Sequence, residues 1–242
     1  MNYLFIAQSD LIDKAPSSLK GPLLANLSDE RAKEAIKDHG LKSGIKISCV
    51  VEGVGRGRVV IGSCTCERVE LSAEIEQALP ARMSIDLVVA YSRPQTIKKL
   101  LQLASALGLR SLSFVKTENV VASYLQSKSL ELAAIRRQLL LGCEQAGDGL
   151  FPELSFFKNF HEFIKSELLT KKSDNRFFGD VGAKVSVCEF HNDALLFLGP
   201  ESGFTLKEKR DLESYGFKPL SLGPRMHRVE IAAAMLLGKL EA

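Results

Sequence analysis

LFLGPESGFTLKEKRDLESYGFKPLSLGPRMHRVEIAAA, residues 196–234, contains two short apolar runs that each end in a glycine–proline turn. The first run, in DALLFLG (193–199), reads as an apolar strand. Gly199-Pro200-Glu201-Ser202-Gly203-Phe204 follows it directly: the glycines permit close backbone approach and the proline stiffens the turn. Thr205, with Glu208 three residues on, makes a capping box that opens a helix over TLKEKRDLESYG (205–216). FKPLSLG (217–223) is a further strand, and its Gly223-Pro224 turn repeats the chemistry before the last helix, VEIAAAMLLGKLE (229–241). Two such loops at adjacent strand ends make a narrow slot lined by backbone N–H and C=O groups, which suit an adenine edge and a ribose. Tight turning would account for either loop singly. It does not account for Arg225, Arg228 and Glu230 crowded behind the second.

The same rhythm extends upstream. After Pro80, SIDLVVAY (84–91) is an apolar strand, RPQTIKKLLQLASALG (93–108) a helix and LRSLSFV (109–115) another strand. SLELAAIRRQLLLGCEQAG (129–147) and FHEFIKSELL (160–169) follow as helices, then AKVSVCEF (183–190) as a strand. Strands alternating with helices predict a parallel α/β sheet with crossover connections. Ligands of such sheets bind outside the carboxyl ends of the strands, which singles out the two glycine–proline loops. The sequence holds no GxGxxG, no P-loop and no evident repeat.

The N-terminal segment is strand-rich instead. KISCVVEGVGRGRVVIGSCTCERVEL (46–71) has two β-branched runs around the glycine-rich GVGRG, a hairpin signal. DERAKEAIKDHG (29–40) precedes it as a helix, with Ser28 as N-cap and Gly40 as the stop. Arg56 and Arg58 fall at the expected hairpin tip, where they could touch phosphate or simply be solvated.

At 242 residues, with 45% apolar and 25% charged side chains, the chain has ordinary globular composition and room for one large domain or two modest ones. Its longest apolar runs are far short of a bilayer span, and MNYLFIAQSDL lacks the pattern of a signal peptide, so a soluble cytoplasmic protein is expected. Five cysteines without metal-like spacing read as reduced thiols. Cys64 and Cys66 share one strand face, but no third ligand lies nearby, and no metal is expected. The net charge of +3 is unevenly spread: residues 1–80 carry 10 Lys/Arg against 11 Asp/Glu, and 81–242 carry 22 against 18. Any anion-binding surface therefore leans toward the C-terminal part.

The 196–234 stretch resembles the C-terminal signature of the RsmE family, SPOUT-class methyltransferases that act on N3 of a uridine in 16S ribosomal RNA. That pattern runs I-G-P-E-G-G-F, an acidic helix, G-F, then S-L-G-P-R-I-L-R-T-E-T-A, and this chain is similar to it without a gap. The resemblance implies an α/β protein with a small PUA-like β-barrel RNA-binding domain over 1–76. A SPOUT methyltransferase domain with a C-terminal trefoil knot would follow over 77–242, a topology that no periodicity argument proposes. It also implies S-adenosyl-L-methionine as cofactor, ribosomal RNA or the small ribosomal subunit as partner, and a homodimer whose interface completes the site. Neither a membrane nor a metal enters. Carried over by position, the cofactor would lie against Leu198, Gly199, Pro200 and Gly203 of the first loop. From the second it would meet Leu220, Ser221, Leu222, Gly223, Pro224, Arg225 and Met226. Arg228, Glu230 and Glu201 are the candidate catalytic residues, and Arg56, Arg58 and Arg93 the candidate RNA contacts.

The chain also departs from the pattern. GPEGG reads GPESG, two threonines of the final motif are Val229 and Ile231, and an apolar position is His227. EQAGDGLFPEL (144–154) keeps Glu144, Gln145 and Pro152 of the E-Q-S-G-R-T-R-L-P-E pattern but replaces its arginines by Asp148 and Leu150. Leu103 and Ala106 stand for a lysine and a glutamate, Asn119 for an arginine, and Asn2 and Tyr3 for an opening arginine pair. The cofactor half is kept and the basic half is thinned. A paralogue with a different RNA target, or an RNA-binding ribosome-assembly protein without turnover, are therefore alternatives to the uridine-N3 enzyme.

Uridine N3–H is a weak acid, so methyl transfer to N3 needs that proton removed or the developing anion stabilised. Glu230 could accept or orient the proton, or be only a carboxylate favoured by a helix N-terminus. Arg228 could stabilise the anion or bind a phosphate. Arg225 could instead clamp Glu201, and His227 reads more as a packing or dimer contact than as a base.

Overall fold

Alternation of inward aliphatic and outward polar residues organises the N-terminal part. In the computed structural model, which describes residues 2–12, 22–170, 175–183 and 193–240, it forms β1 (Leu4–Ile6), β2 (Leu23–Ser28), α1 (Asp29–His39), β3 (Lys46–Val51), β4 (Gly55–Cys64) and β5 (Arg68–Gln77). The strands pair in the order β1-β3-β4-β5-β2, with β1 parallel to β3 and the remaining neighbours antiparallel. Leu23, Ala25 and Leu27 of β2 meet Val59 and Ile61 of β4 and Val69, Leu71 and Ala73 of β5 in one core. Each large aliphatic buried there contributes about 1.5–3 kcal/mol. The α1 helix stops at Gly40, in the left-handed region at φ 63°, as expected; Ser28 is its N-cap, but its side chain makes no cap hydrogen bond.

The hairpin differs from expectation in one respect. Only Gly53 and Val54 of GVGRG lie in its turn, Glu52–Val54: β4 begins at Gly55, so Arg56 and Arg58 lie within the strand, opposite Val50 and Ser48 of β3, and not at a tip. The glycines are needed for close approach instead, since a Cβ on Gly57 would run into the Glu74 carbonyl of β5 and one on Gly55 would come within 2.5 Å of the Gln77 carbonyl.

The later part is built of β6 (Met83–Ala90), α2 (Pro94–Ala106), β7 (Leu109–Val115), α3 (Leu132–Ala146), β8 (Glu153–Phe157), α4 (Phe160–Thr170), β9 (Arg176–Gly179), β10 (Ala194–Leu198), α5 (Leu206–Ser214), β11 (Lys218–Leu220) and α6 (Val229–Leu240). Its six strands form one sheet in the order β11-β9-β10-β6-β7-β8, and every neighbouring pair is parallel. The predicted strand AKVSVCEF lies outside the described residues except for Ala183. Two compact units result, Met1–Ala81 with Leu139–Phe151, and Arg82–Gln138 with Pro152–Ala242, so α3 contributes to both.

Phenylalanines fill the core around α4 and α5: Phe163 of α4 and Leu212 of α5 join Val88, Val115, Phe157, Phe178, Leu195, Phe197 and Phe204. Near the amino ends of the strands, Arg110 of β7 grips the buried Asp86 of β6 with two hydrogen bonds of 3.1 and 2.6 Å, and reaches Asp193, just before β10, at 2.8 Å. That fork ties three neighbouring strands and leaves their carboxyl ends free to carry loops.

The chain builds β6, β7 and β8 outward in one direction, then returns to lay β10 against the other side of β6. The sheet therefore has a switch point between β6 and β10, where the loops leaving two neighbouring strands diverge and open a crevice.

Candidate functional site

Three loops, not two, converge beside the carboxyl ends of β9, β10 and β11. The two glycine–proline loops do not leave adjacent strands as expected, because β9 is inserted between β10 and β11. Sequence order is not sheet order once crossovers are involved, and the short β9 gave no periodic signal to warn of it. Its loop supplies Gly179, Asp180 and Val181 to a slot of about 150 Å³ that the other two loops complete. Leu198, Gly199, Pro200, Glu201 and Gly203 line it from one side, and Leu220, Leu222, Gly223, Arg225 and Met226 from the other. Ser221 and Pro224 belong to the same loop but are not on the slot wall. Ser221 acts on the backbone instead, its hydroxyl accepting the Gly223 N–H at 3.1 Å.

Local chemistry fixes each loop. A Cβ on Gly199 would stand 3.0 Å from the Phe204 ring, which is itself held edge-on to Phe197 and Phe178. Gly223 has φ 103°, a conformation that side-chain-bearing residues rarely adopt. The expected capping box is present: the Glu208 carboxylate accepts the Thr205 N–H at 2.8 Å and the Thr205 hydroxyl accepts the Glu208 N–H at 3.2 Å. Glu208 also accepts the Glu118 N–H at 2.8 Å, and Asn119 donates to the Gly203 carbonyl at 3.0 Å, so the loop after β7 is tied to the first glycine–proline loop. Asp180 pairs with Lys209 at 2.9 Å.

A wider cleft of about 760 Å³ adjoins the slot, lined by Arg93, Gln95, Thr96 and Lys99 at the start of α2, by Tyr124, and by Arg228 and Glu230 where α6 begins. Glu201 and Val229 line both spaces. The cleft sits at the switch point, since Arg93 follows β6 and Glu201 follows β10. Arg93 and Glu201 form an ion pair of 3.6 Å across it. Arg225 thus does not clamp Glu201: it is exposed on the slot, and the partner comes from a residue far earlier in the chain.

Glu230 is the best-enclosed charged group of the cleft, its side chain 12% exposed, and it accepts a hydrogen bond of 3.0 Å from Lys99. Burial pushes its carboxyl upward, but its own backbone N–H, the Lys99 ammonium and Arg228 outweigh that and hold it below the usual carboxylate range. It is therefore an anion at neutral pH.

The structure brings Arg228, Glu230, Glu201 and Arg93 to one cleft, as candidates named from sequence. Arg56 and Arg58 belong to the other unit, where Arg58 reaches Glu76 at 4.0 Å and the Arg56 Nε is buried without a hydrogen-bond partner. Sequence reading missed Lys99, Tyr124, Asp180 and Lys209. For Lys99 a signal existed: Gln95, Thr96 and Lys99 recur at helical spacing opposite the apolar Ile97, Leu100 and Leu101. Of the residues that replace arginines in the resembled pattern, Asp148 is buried and accepts the Leu150 N–H at 3.1 Å, and Asn119 holds Gly203. Among the described residues no group of His, Cys, Asp and Glu is arranged to hold a metal ion, and no helix is long and apolar enough to cross a membrane.

The chain is similar to known proteins in sequence and in fold. The chain is 27% identical over 154 residues to ribosomal RNA small subunit methyltransferase E 1 of Borreliella burgdorferi, covering 60% of this chain and 62% of that one. It is 27% identical over 161 residues to ribosomal RNA small subunit methyltransferase E of Treponema pallidum, covering 63% and 60%. The matches thus span about three fifths of the length of these curated relatives. A crystal structure of ribosomal RNA small subunit methyltransferase E from Neisseria gonorrhoeae, bound to S-adenosyl methionine, shares the fold with a TM-score of 0.75 at 19% identity, over 98% of this chain and 95% of that one. Residues 79–241, well over half of the sequence, match the RNA methyltransferase domain family. The chain belongs to that RNA methyltransferase family, as a relative of the RsmE proteins that its glycine–proline loops resemble.

Proposed function

We propose that this protein is an S-adenosyl-L-methionine-dependent ribosomal RNA methyltransferase that modifies N3 of a uridine in 16S rRNA. The observation that carries the reading is the meeting of the two spaces: a small slot and a charged cleft share Glu201 and Val229 as lining residues. The slot suits the cofactor. Backbone groups of the Leu222-Gly223 turn suit an adenine edge and a ribose, and the Asp180 and Glu201 carboxylates suit its cationic centres. Bound there, the cofactor supplies an electrophilic methyl group.

The chain's own residues would do the rest. Glu230, an anion at neutral pH, takes the N3–H proton of uracil, and Arg228 stabilises the charge left on the ring. Glu201, paired with Arg93, stands where slot and cleft join. Arg93, Arg56 and Arg58 are the proposed RNA contacts, and the strand-rich unit is proposed as the PUA-like RNA-binding domain of the expected 1–76 and 77–242 division. The fold resemblance supports a C-terminal trefoil knot, and the exposed apolar residues near the slot support a homodimer. Ribosomal RNA or the small subunit is the proposed partner, the cytoplasm the proposed compartment, and no metal takes part.

A second reading, a related methyltransferase with another RNA target, is favoured by one observation. Asp148 and Asn119 occupy arginine positions of the resembled pattern and serve backbone hydrogen bonds. Titration calorimetry with S-adenosylmethionine, beside nucleoside mass spectrometry of 16S rRNA from a deletion strain, separates these. The first reading expects binding and loss of one N3-methyluridine. Binding with the N3-methyluridine retained would leave the second, and no binding at millimolar ligand would end both.

A further inference from the structure

The cleft contains one lysine, and it is placed on the candidate base. Lys99 lies 131 residues before Glu230, yet its ammonium donates to the Glu230 carboxylate at 3.0 Å. The two side chains are unequally covered, Lys99 56% exposed and Glu230 12% exposed. Surface ion pairs between two exposed side chains contribute little. Here one partner is largely out of water, and a carboxylate in that position needs a hydrogen-bonded counter-charge. The other charged groups facing it are Arg228, two residues back, and the Arg93–Glu201 pair across the cleft; Tyr124 is the remaining titratable neighbour. Lys98, next along α2, is exposed and is not on the cleft wall.

We infer that Lys99 is the positioning residue of the transfer step: its ammonium holds the Glu230 carboxylate in place at the cleft and balances its charge. The inference rests on the cleft being the uridine site. It gives the pair a task beyond linking α2 to α6. A proton acceptor must point one oxygen at the incoming N–H, and a long side chain anchored only by its backbone would sample several rotamers. The Lys99 anchor also lets the carboxylate titrate lower than burial alone would allow, consistent with its depressed value.

The test compares wild type with Lys99→Met, Lys99→Arg and Lys98→Met. The carboxyl carbon of Glu230 is followed by NMR in ¹³C-glutamate-labelled protein, assigned through the loss of its signal in Glu230→Gln. Single-turnover methyl transfer to small ribosomal subunits is followed across pH. In Lys99→Met the Glu230 titration and the acid limb of the rate should both move to higher pH; Lys99→Arg should restore them and Lys98→Met should move neither. An unmoved titration in Lys99→Met, or an equal movement in Lys98→Met, overturns the inference. So does a titration that moves while the acid limb stays, which would make the pair a structural clip. A wild type that methylates no uridine removes the functional reading and with it the transfer role, whatever the NMR result, whereas an active wild type with an unshifted Lys99→Met removes the Lys99 role alone.

Discussion

Glu230 lies where two demands on one carboxylate meet: it is in the first turn of α6, where a helix dipole favours negative charge, and it lines the cleft. The two roles predict different outcomes for Glu230→Gln. As the proton acceptor, its loss should leave cofactor affinity intact and cut single-turnover transfer by about 10²–10⁴. As a helix-terminal charge alone, its loss should cost about 0.3–1 kcal/mol of stability and leave turnover nearly unchanged. A rate assay beside a thermal melt decides, and a wild-type rate in the Gln variant ends the catalytic role. The stability part has a defined pH sense. Because the folded carboxyl titrates below its ordinary value, its contribution is present above that ordinary value and is lost as pH falls through the depressed one. The melting difference between wild type and variant should therefore shrink on acidification. At this scale the sequence was legible where the chemistry is local. Gly199, Gly223, Thr205 and Glu208 declared their turns and cap within a few residues. The partners of Glu201 and Glu230 did not, because Arg93 and Lys99 are joined to them only by the sheet crossovers.

The α5 helix shows how an element can carry a site. Its capping box satisfies the Thr205 and Glu208 amides, and the same Glu208 carboxylate reaches the Glu118 amide in the loop after β7. One buried side chain thus sets the start of the helix and the position of a neighbouring loop. Thr205→Ala should destabilise by about 1 kcal/mol, the usual cost of an N-cap hydroxyl. Glu208→Ala should cost more, on the order of 2–4 kcal/mol, because two backbone N–H groups lose their acceptor. Denaturant unfolding checks both, and equal losses would mean that the Glu118 link contributes nothing. Long elements were readable from sequence: α2, α3, α4, α5 and α6 and the strands β6, β7 and β10 all fall on segments whose periodicity or apolar run announced them. Among the short ones only β11 was, within FKPLSLG; β1 and β9 have three or four residues each, too few for a period to emerge, and β9 changes which loops are neighbours in the sheet.

For the whole molecule, the alternation of strands and helices was enough to give the α/β class, since only a parallel sheet accommodates that order with short connections. Strand order was not recoverable, because the return across β6 follows from packing preferences that no local pattern encodes. Association is the property that remains to be predicted at this scale. α6 turns Ala233, Leu236 and Leu237 inward, yet Ile231 on the same helix is 47% exposed, and Met226, on the slot wall just before it, is 76% exposed. Exposed apolar side chains are ordinary when scattered, but two beside a ligand slot argue for a partner surface. If a second copy covers them, light scattering at micromolar concentration should give twice the 26.5 kDa chain mass. Ile231→Glu should then shift the population toward monomer, because burying an unpaired carboxylate in an apolar contact is costly. Loss of S-adenosylmethionine affinity in step with the loss of dimer would mean that the partner completes the slot. Retained affinity in the monomer would confine the cofactor site to a single chain, and a monomeric mass for the wild type would exclude the dimer outright.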